Sequence, residues 1–261
     1  MNKTIRIGSG AGYSGDRIEP AVDLIQKGDL DYIIFECLAE RTIALAQLQK
    51  MQNKELGYDP LLEDRMKACL PYCVSNNVKL ISNMGAANPV AAAKKTAKIA
   101  NELGLKSIKI AAVFGDDVQS LLDFETQTLL ETGEPLSVLD DKIISANAYL
   151  GVEGILSALK DGADIILTGR VADPALFLAP IIHEFDWSLS DYPLLGKGTA
   201  LGHLMECAGQ VCGGYFADGV KKQVPDLANL GFPIAEINEE GSFFITKLKD
   251  VTVFSKISYF N

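Results

Sequence analysis

Small and charged residues gather where short apolar runs of this chain end, and chemistry is expected there. IRIGSGAGYSGDRIEPAVDLI sets Gly10, Gly12 and Gly15 in the spacing G-x-G-x-x-G, between a strand-like run and a helical pattern. That is the context in which the motif binds dinucleotides. Glu36 follows YIIF, about 20 residues beyond Gly15, where such a unit keeps an acid for a ribose hydroxyl. Asp16 and Glu19 oppose this reading, because two negative charges in a first helical turn use up the dipole that would greet pyrophosphate. The loop, with Tyr13, is therefore expected to make a tight turn that walls a pocket for another ligand and to bind no pyrophosphate.

Arginine sharpens the pattern. Arg17, Arg41 and Arg170 fall in or just after the loops GSGAGYSGDR, ECLAERT and TGRVADP, whereas the lysines mostly sit on helix faces. A guanidinium fork suits a carboxylate or phosphate. The alternative is that these arginines tie down Asp16, Glu40 and Asp173. Glu36 and Asp116 are candidate general bases. Asp116-Asp117 could also hold Mg²⁺ or simply cap a helix. Asn83 in NMGAANP and Asn147 in NAYLG are candidates to orient a substrate carbonyl or hydroxyl, and Asp173 joins the binding set. His203, Glu206 and Cys207 share a helical face at i, i+3 and i+4. A Cys–His pair can supply nucleophile and base, but such a helix is as readily core. Too few ligands are in view for zinc, so no metal is expected, and the sequence assigns no cofactor.

These loops need elements to hold them. Strands are expected at Thr4–Gly8, Tyr32–Phe35, Lys79–Ser82, Ile108–Phe114, Lys142–Ala146 and Asp164–Thr168. Helices are expected near Asp16–Lys27, Ala39–Asn53, Leu61–Ser75, Pro89–Leu103, Val118–Glu131, Val152–Lys160 and Pro174–His183. The strands are short and apolar on both faces, as parallel strands covered by helices are. Their alternation with helices gives an α/β fold with a mainly parallel sheet, Rossmann-like and open, or else part of a β/α barrel. Ligands of either architecture bind beyond the carboxyl ends of the strands. Asp16-x-x-Glu19 reads as a capping box, and Asn88-Pro89 and Asp173-Pro174 as helix starts. Residues 1–185 form the α/β domain in this reading. Residues 186–261 form an extension with a helix near Thr199–Ala208 and a hairpin within FPIAEINEEGSFFITK. The apolar stretch Val251–Phe260 is odd for the end of a domain, since bare edge strands invite pairing. A second copy is expected to cover them, or the tail to lack order.

With 261 residues the chain can bury a full core, and 48% hydrophobic residues exclude a disordered chain. The formal charge of −10 argues against nucleic acid as a partner. No signal-like start or long apolar span is present, so a cytoplasmic protein off the membrane is expected. Cys37, Cys69, Cys73, Cys207 and Cys212 are irregularly spaced and fit reduced thiols.

Five ordered segments, GSGAGYSGDRIEPAVDLI, DYIIFECLAERTIALAQ, NMGAANP, TGRVADPAL and GHLMECAGQVCGGYFAD, together resemble the acyclic terpene utilisation family, AtuA. The resemblance runs to about Lys247. It implies a role in branched acyl-CoA or small-carboxylate catabolism, with lyase or hydratase chemistry, and a small anionic ligand or acyl-CoA as partner. A non-catalytic ligand-binding subunit and a dinucleotide-dependent oxidoreductase are the alternatives. Family members continue past SFFITK with a glycine-rich turn and further strands. LKDVTVFSKISYFN departs from that pattern and resembles a truncated end.

Overall fold

The computed structural model describes residues 3–249 and the strand 258–260. The strands are β1 (Thr4–Ala11), β2 (Tyr32–Phe35), β3 (Lys79–Ser82), β4 (Ile110–Val113), β5 (Ile165–Thr168), β6 (Ile234–Asn238), β7 (Phe243–Thr246) and β8 (Ser258–Phe260). They make one open sheet in the order β4-β5-β3-β2-β1-β6-β7-β8. The first five run parallel, and β6, β7 and β8 add antiparallel to the free edge of β1.

Period-two alternation along the strands feeds a separate core on each face. Tyr32 and Ile34 pack with Leu156 of α5 (Glu153–Lys160), Phe177 of α6 (Ala175–Phe185) and Leu201 of α7 (Tyr192–Glu206). Ile33 and Phe35 point the other way, into Leu24 of α1 (Glu19–Lys27), Leu70 of α3 (Leu62–Asn76) and Ile99 of α4 (Pro89–Glu102). Each such large side chain removed from water contributes roughly 1.5–3 kcal/mol before chain entropy is charged against it. The remaining helix, α2 (Glu40–Gln52), follows β2 directly.

The sheet order opens a crevice at one end of the sheet. β5 inserts between β3 and β4. The loop after β3 leads to α4 on one face, and the loop after β5 leads to α6 on the other. Loops that diverge from adjacent parallel strands leave a crevice beyond their carboxyl ends, the usual ligand position in open α/β sheets.

The glycine loop is built differently from a phosphate cradle. β1 continues to Ala11, and its pairing with β2 shifts register between Ser9 and Ala11, which makes Gly10 the extra residue of a bulge. A Cβ on Gly10 would lie 2.6 Å from the Phe35 ring, and one on Gly12 would lie 2.6 Å from the Cys207 carbonyl carbon. Both glycines are therefore required by close packing. Asp16 does not cap α1, whose N-terminus receives no side-chain hydrogen bond. Its carboxylate accepts instead from Gly12 N at 3.0 Å and Arg17 N at 2.9 Å. Beneath the loop lies Arg65 of α3, wholly buried. It donates to the carbonyls of Ser14 (2.9 Å), Asp16 (3.1 Å) and Tyr13 (3.4 Å), and its Nη1 meets Asp59 Oδ1 at 3.1 Å.

Two expected elements are absent. Val118–Glu131 holds only a short 3-10 turn at Gln119–Leu121. The Asp123 carboxylate captures the N–H groups of Glu125 and Thr126 and the Thr126 hydroxyl, a local arrangement that competes with helix. Lys142–Ala146 is no strand. Its carbonyls are taken by the same excursion, with Val118 N donating to Ala146 O and Gln119 Nε2 to Ile143 O. Asn88 caps α4 as expected, accepting from Ala91 N at 3.3 Å. Asp173 gives α6 no side-chain cap. α7 starts at Tyr192, earlier than Thr199, because Asp191 caps it. The hairpin forms as β6 and β7 and joins the main sheet, and β8 pairs with β7 of the same chain. The rest of Val251–Phe260, residues 251–257, lies outside the described residues. No described helix is long and apolar enough to cross a membrane.

Arg65→Met is expected to destabilise the fold by about 3–5 kcal/mol, the usual cost of stranding a buried charge, here Asp59. The double variant Arg65→Met/Asp59→Asn should recover part of that loss. Urea denaturation followed by circular dichroism checks both. A single variant within about 1 kcal/mol of wild type would show that the loop does not depend on this pair.

Candidate functional site at the carboxyl ends of the parallel strands

Two kinds of polar group meet in the crevice beyond β2, β3 and β5. The first kind is held by two or more partners each and shapes the loops. Asn83, wholly buried after β3, accepts from Cys37 N at 2.7 Å through Oδ1. Its Nδ2 donates to Glu36 Oε1 at 2.9 Å. Asp116, buried after β4, accepts through Oδ2 from Arg170 N (2.9 Å) and Asn147 Nδ2 (2.8 Å). A Cβ on Gly169 would lie 2.3 Å from Asp116 Oδ1, so glycine is needed beside it. Asn147 also accepts from Gln47 of α2 at 3.3 Å. Arg170 is buried too. Its Nη1 donates to Leu38 O (2.7 Å) and its Nη2 to Glu40 Oε1 (2.9 Å) and the Tyr149 hydroxyl. The guanidinium stacks 4.0 Å from the Tyr149 ring centroid, and its buried Nε has no partner among the described residues. Arg170 is therefore committed to Leu38, Glu40 and Tyr149, and not hydrogen-bonded to Asp173.

The second kind is under-satisfied. Buried oxygens of Asp173 (Oδ1) and Glu206 (Oε2) find no hydrogen-bond partner among the described residues. Burial pushes the Glu206 carboxyl up to about 7, with repulsion from Asp173 and Glu36 added. Burial likewise raises Glu36. The Asn83 and Leu38 donors pull it back, Asp173 adds repulsion and Arg170 offsets some of that. Asp173 is raised by burial first and by Glu40, against the attraction of Arg170 and His203. The three carboxyls thus influence one another's charge, all are raised above their ordinary values, and Glu206 is raised furthest toward neutrality, because burial and mutual repulsion disfavour ionising them all.

The structure draws together Glu36, Asn83, Arg170, Asp173, Glu206 and Cys207, ties Asp116 and Asn147 to Arg170, and packs Gly12 against Cys207, whereas His203, Arg17 and Arg41 make other contacts. His203 is largely exposed, with Nδ1 3.8 Å from Glu206 Oε1. It makes no hydrogen bond to Cys207 among the described residues. Burial and the neighbouring carboxylates raise the Cys207 thiol, opposite to what a thiolate nucleophile needs. The three loop arginines diverge. Arg17 donates to Ala228 O at 2.7 Å and faces the Phe232 ring. Arg41 stands exposed on α2, beside a cleft with Tyr13. Asp16 takes up the Gly12 N–H that a phosphate would need. The described residues hold no group of three or more His, Cys, Asp or Glu arranged for a metal.

Arg65 and Tyr149 were not singled out from sequence. Arg65 could have been: it falls on the stripe Leu62, Met66, Cys69, Leu70 and Cys73, the buried face of α3, and a cation on an apolar stripe requires a buried acceptor. Tyr149 carries no such mark.

The folded Glu206 carboxyl keeps its proton to about pH 7, whereas the unfolded chain releases it near the ordinary value of 4.5. Between those values the unfolded state binds fewer protons, so this group makes stability fall as the pH rises. Glu206→Gln removes that loss. The melting temperature of the variant minus that of wild type should therefore grow from pH 4.5 to pH 8. A difference that does not change with pH would contradict the assignment.

A family model described as "Acyclic terpene utilisation family protein AtuA" matches residues 5–252. No curated protein and no solved structure matches significantly. With a match over nearly its full length, this chain belongs to the acyclic terpene utilisation family AtuA.

Proposed function

We propose that the protein is an enzyme that moves a proton to or from a small carboxylate or acyl thioester of acyclic terpene catabolism, in a lyase or hydratase reaction. The observation that carries this reading is the coupled set Glu36, Asp173 and Glu206, with Glu206 near 7. A general acid–base works best with a pKa near the operating pH. A site in which burial separates the protonation of neighbouring carboxyls supplies both an acid and a base.

Roles follow from the partners. Glu206 has a free buried oxygen and is the group that gives and takes the proton. Glu36 is held in one orientation by Asn83 and Leu38 N and stays fixed as the charge changes. Asp173, next in charge to Glu206, sets which of the two is protonated. Asn83, Asp116, Asn147 and Arg170 act as positioning residues, since their hydrogen bonds join the loops that carry the carboxyls. Asp16 and the packed glycines support a site that does not use a dinucleotide.

In D2O the protein should exchange the proton α to the carbonyl of branched 2-enoyl or 3-hydroxyacyl thioesters, or of the corresponding acids, as followed by proton NMR. Glu206→Gln should slow exchange by about 10²–10⁴-fold, the usual contribution of a positioned acid or base. Exchange at the wild-type rate in Glu206→Gln would remove Glu206 from the mechanism. Absence of exchange with every thioester and acid would favour a ligand-binding role.

A further inference from the structure

A cleft of about 440 Å³ opens on the same end of the sheet, between the glycine loop, α2 and residues 58–60. Its volume lies within the roughly 300–1,000 Å³ of small-molecule sites. Tyr13, Tyr58 and Leu45 give it an apolar lining, and Thr42 and Gln49 add polar groups. Tyr13 is 54% exposed and Leu45 45% exposed, although both border a concave surface. Arg41 stands at its edge. It is exposed, and its side chain has no hydrogen bond or ion pair to any described residue.

That placement of Arg41 is unfavourable within the protein alone. It lies in the first turn of α2, where the helix dipole opposes a cation. Its neighbour Glu40 is taken by Arg170 and Tyr149. The floor of the cleft contributes no compensating charge, because Asp59 is neutralised by Arg65 at 3.1 Å. An uncommitted guanidinium beside two aromatic rings and an exposed leucine matches a ligand with one negative charge and an apolar body. On a protein of net charge −10, such a local cation also selects a small anion over a polyanion.

We propose that this cleft is a binding site for an amphipathic organic anion, with its carboxylate on Arg41 and a compact apolar body against Tyr13, Leu45 and Tyr58. The apolar body is either branched aliphatic or aromatic, and both lie within reach of the same lining. The site is distinct from the Glu36–Asp173–Glu206 group and does not rest on the proton-transfer reading.

Isothermal titration of the full chain with 4-methylpentanoate and 3-phenylpropanoate, each beside its neutral amide, tests this. At least one acid should bind with a dissociation constant of about 1 mM or tighter, and its amide at least about tenfold more weakly. Whichever acid binds more tightly identifies the body. Arg41→Gln should weaken binding at least about tenfold, and Leu45→Glu should abolish it, by placing a charge on the lining. Glu206→Gln should bind as wild type does, which separates this site from the proton-transfer site. Equal affinity of acid and amide, an Arg41→Gln variant that is folded and binds like wild type, or no saturable binding up to about 10 mM would overturn the proposal.

Discussion

The loops at the carboxyl ends of the strands rest on one buried cation. Arg65 reaches from α3 under the loop after β1 and turns three of its carbonyls inward, while Asp59 neutralises it. A loop held by its carbonyls from below cannot also collapse onto the sheet. Asp16 then closes the same loop from above by accepting the Gly12 N–H. The loop that resembles a dinucleotide cradle thus has its anion built in. It becomes a rigid wall shared by two spaces, with Gly12 against the backbone of Cys207 on one side and Tyr13, Ser14 and Gly15 lining the cleft on the other.

Against that wall the carboxyl ends of the strands divide their polar groups by degree of satisfaction. Asn83, Asp116 and Arg170 each hold two or more partners, and together they lock the loops after β2, β3, β4 and β5. Buried polar groups that are fully paired rigidify a site. Glu206 and Asp173 retain buried oxygens without partners, and such atoms are costly unless a ligand or a proton answers them. Preorganised ties around under-satisfied acids are what a proton-transfer site requires, because the acids can change charge without the frame moving.

Much of the frame was legible in the sequence. Short runs apolar on both faces, alternating with helical patterns, marked five of the six expected strands, and Asn88-Pro89 marked a helix start, because patterning and capping are local properties. Lys142–Ala146 and Val118–Glu131 failed because side-chain captures by Asp123 and Gln119 outcompete regular structure there. The glycine spacing was visible, but not its cause: packing against Phe35 and Cys207 joins residues distant in sequence. Loop position marked Glu36, Asn83, Asp116 and Arg170 as residues of one face. It could not separate ties from acids, since that depends on which partners the tertiary fold supplies. Glu206 was visible only as a neighbour of His203 and Cys207. Its unusual protonation comes from burial beside Asp173 and Glu36, which no spacing encodes.

The central claim is that a buried carboxyl at this crevice stays protonated near neutrality. Carbon-13 NMR titration of the Asp and Glu side-chain carboxyls measures this directly, with Glu206 assigned by its loss in Glu206→Gln. The account predicts that one carboxyl of the coupled group titrates with an apparent pKa of about 7 and that its signal disappears in the variant. If every carboxyl in the protein titrates within the ordinary acidic range, below about pH 5, the account is contradicted.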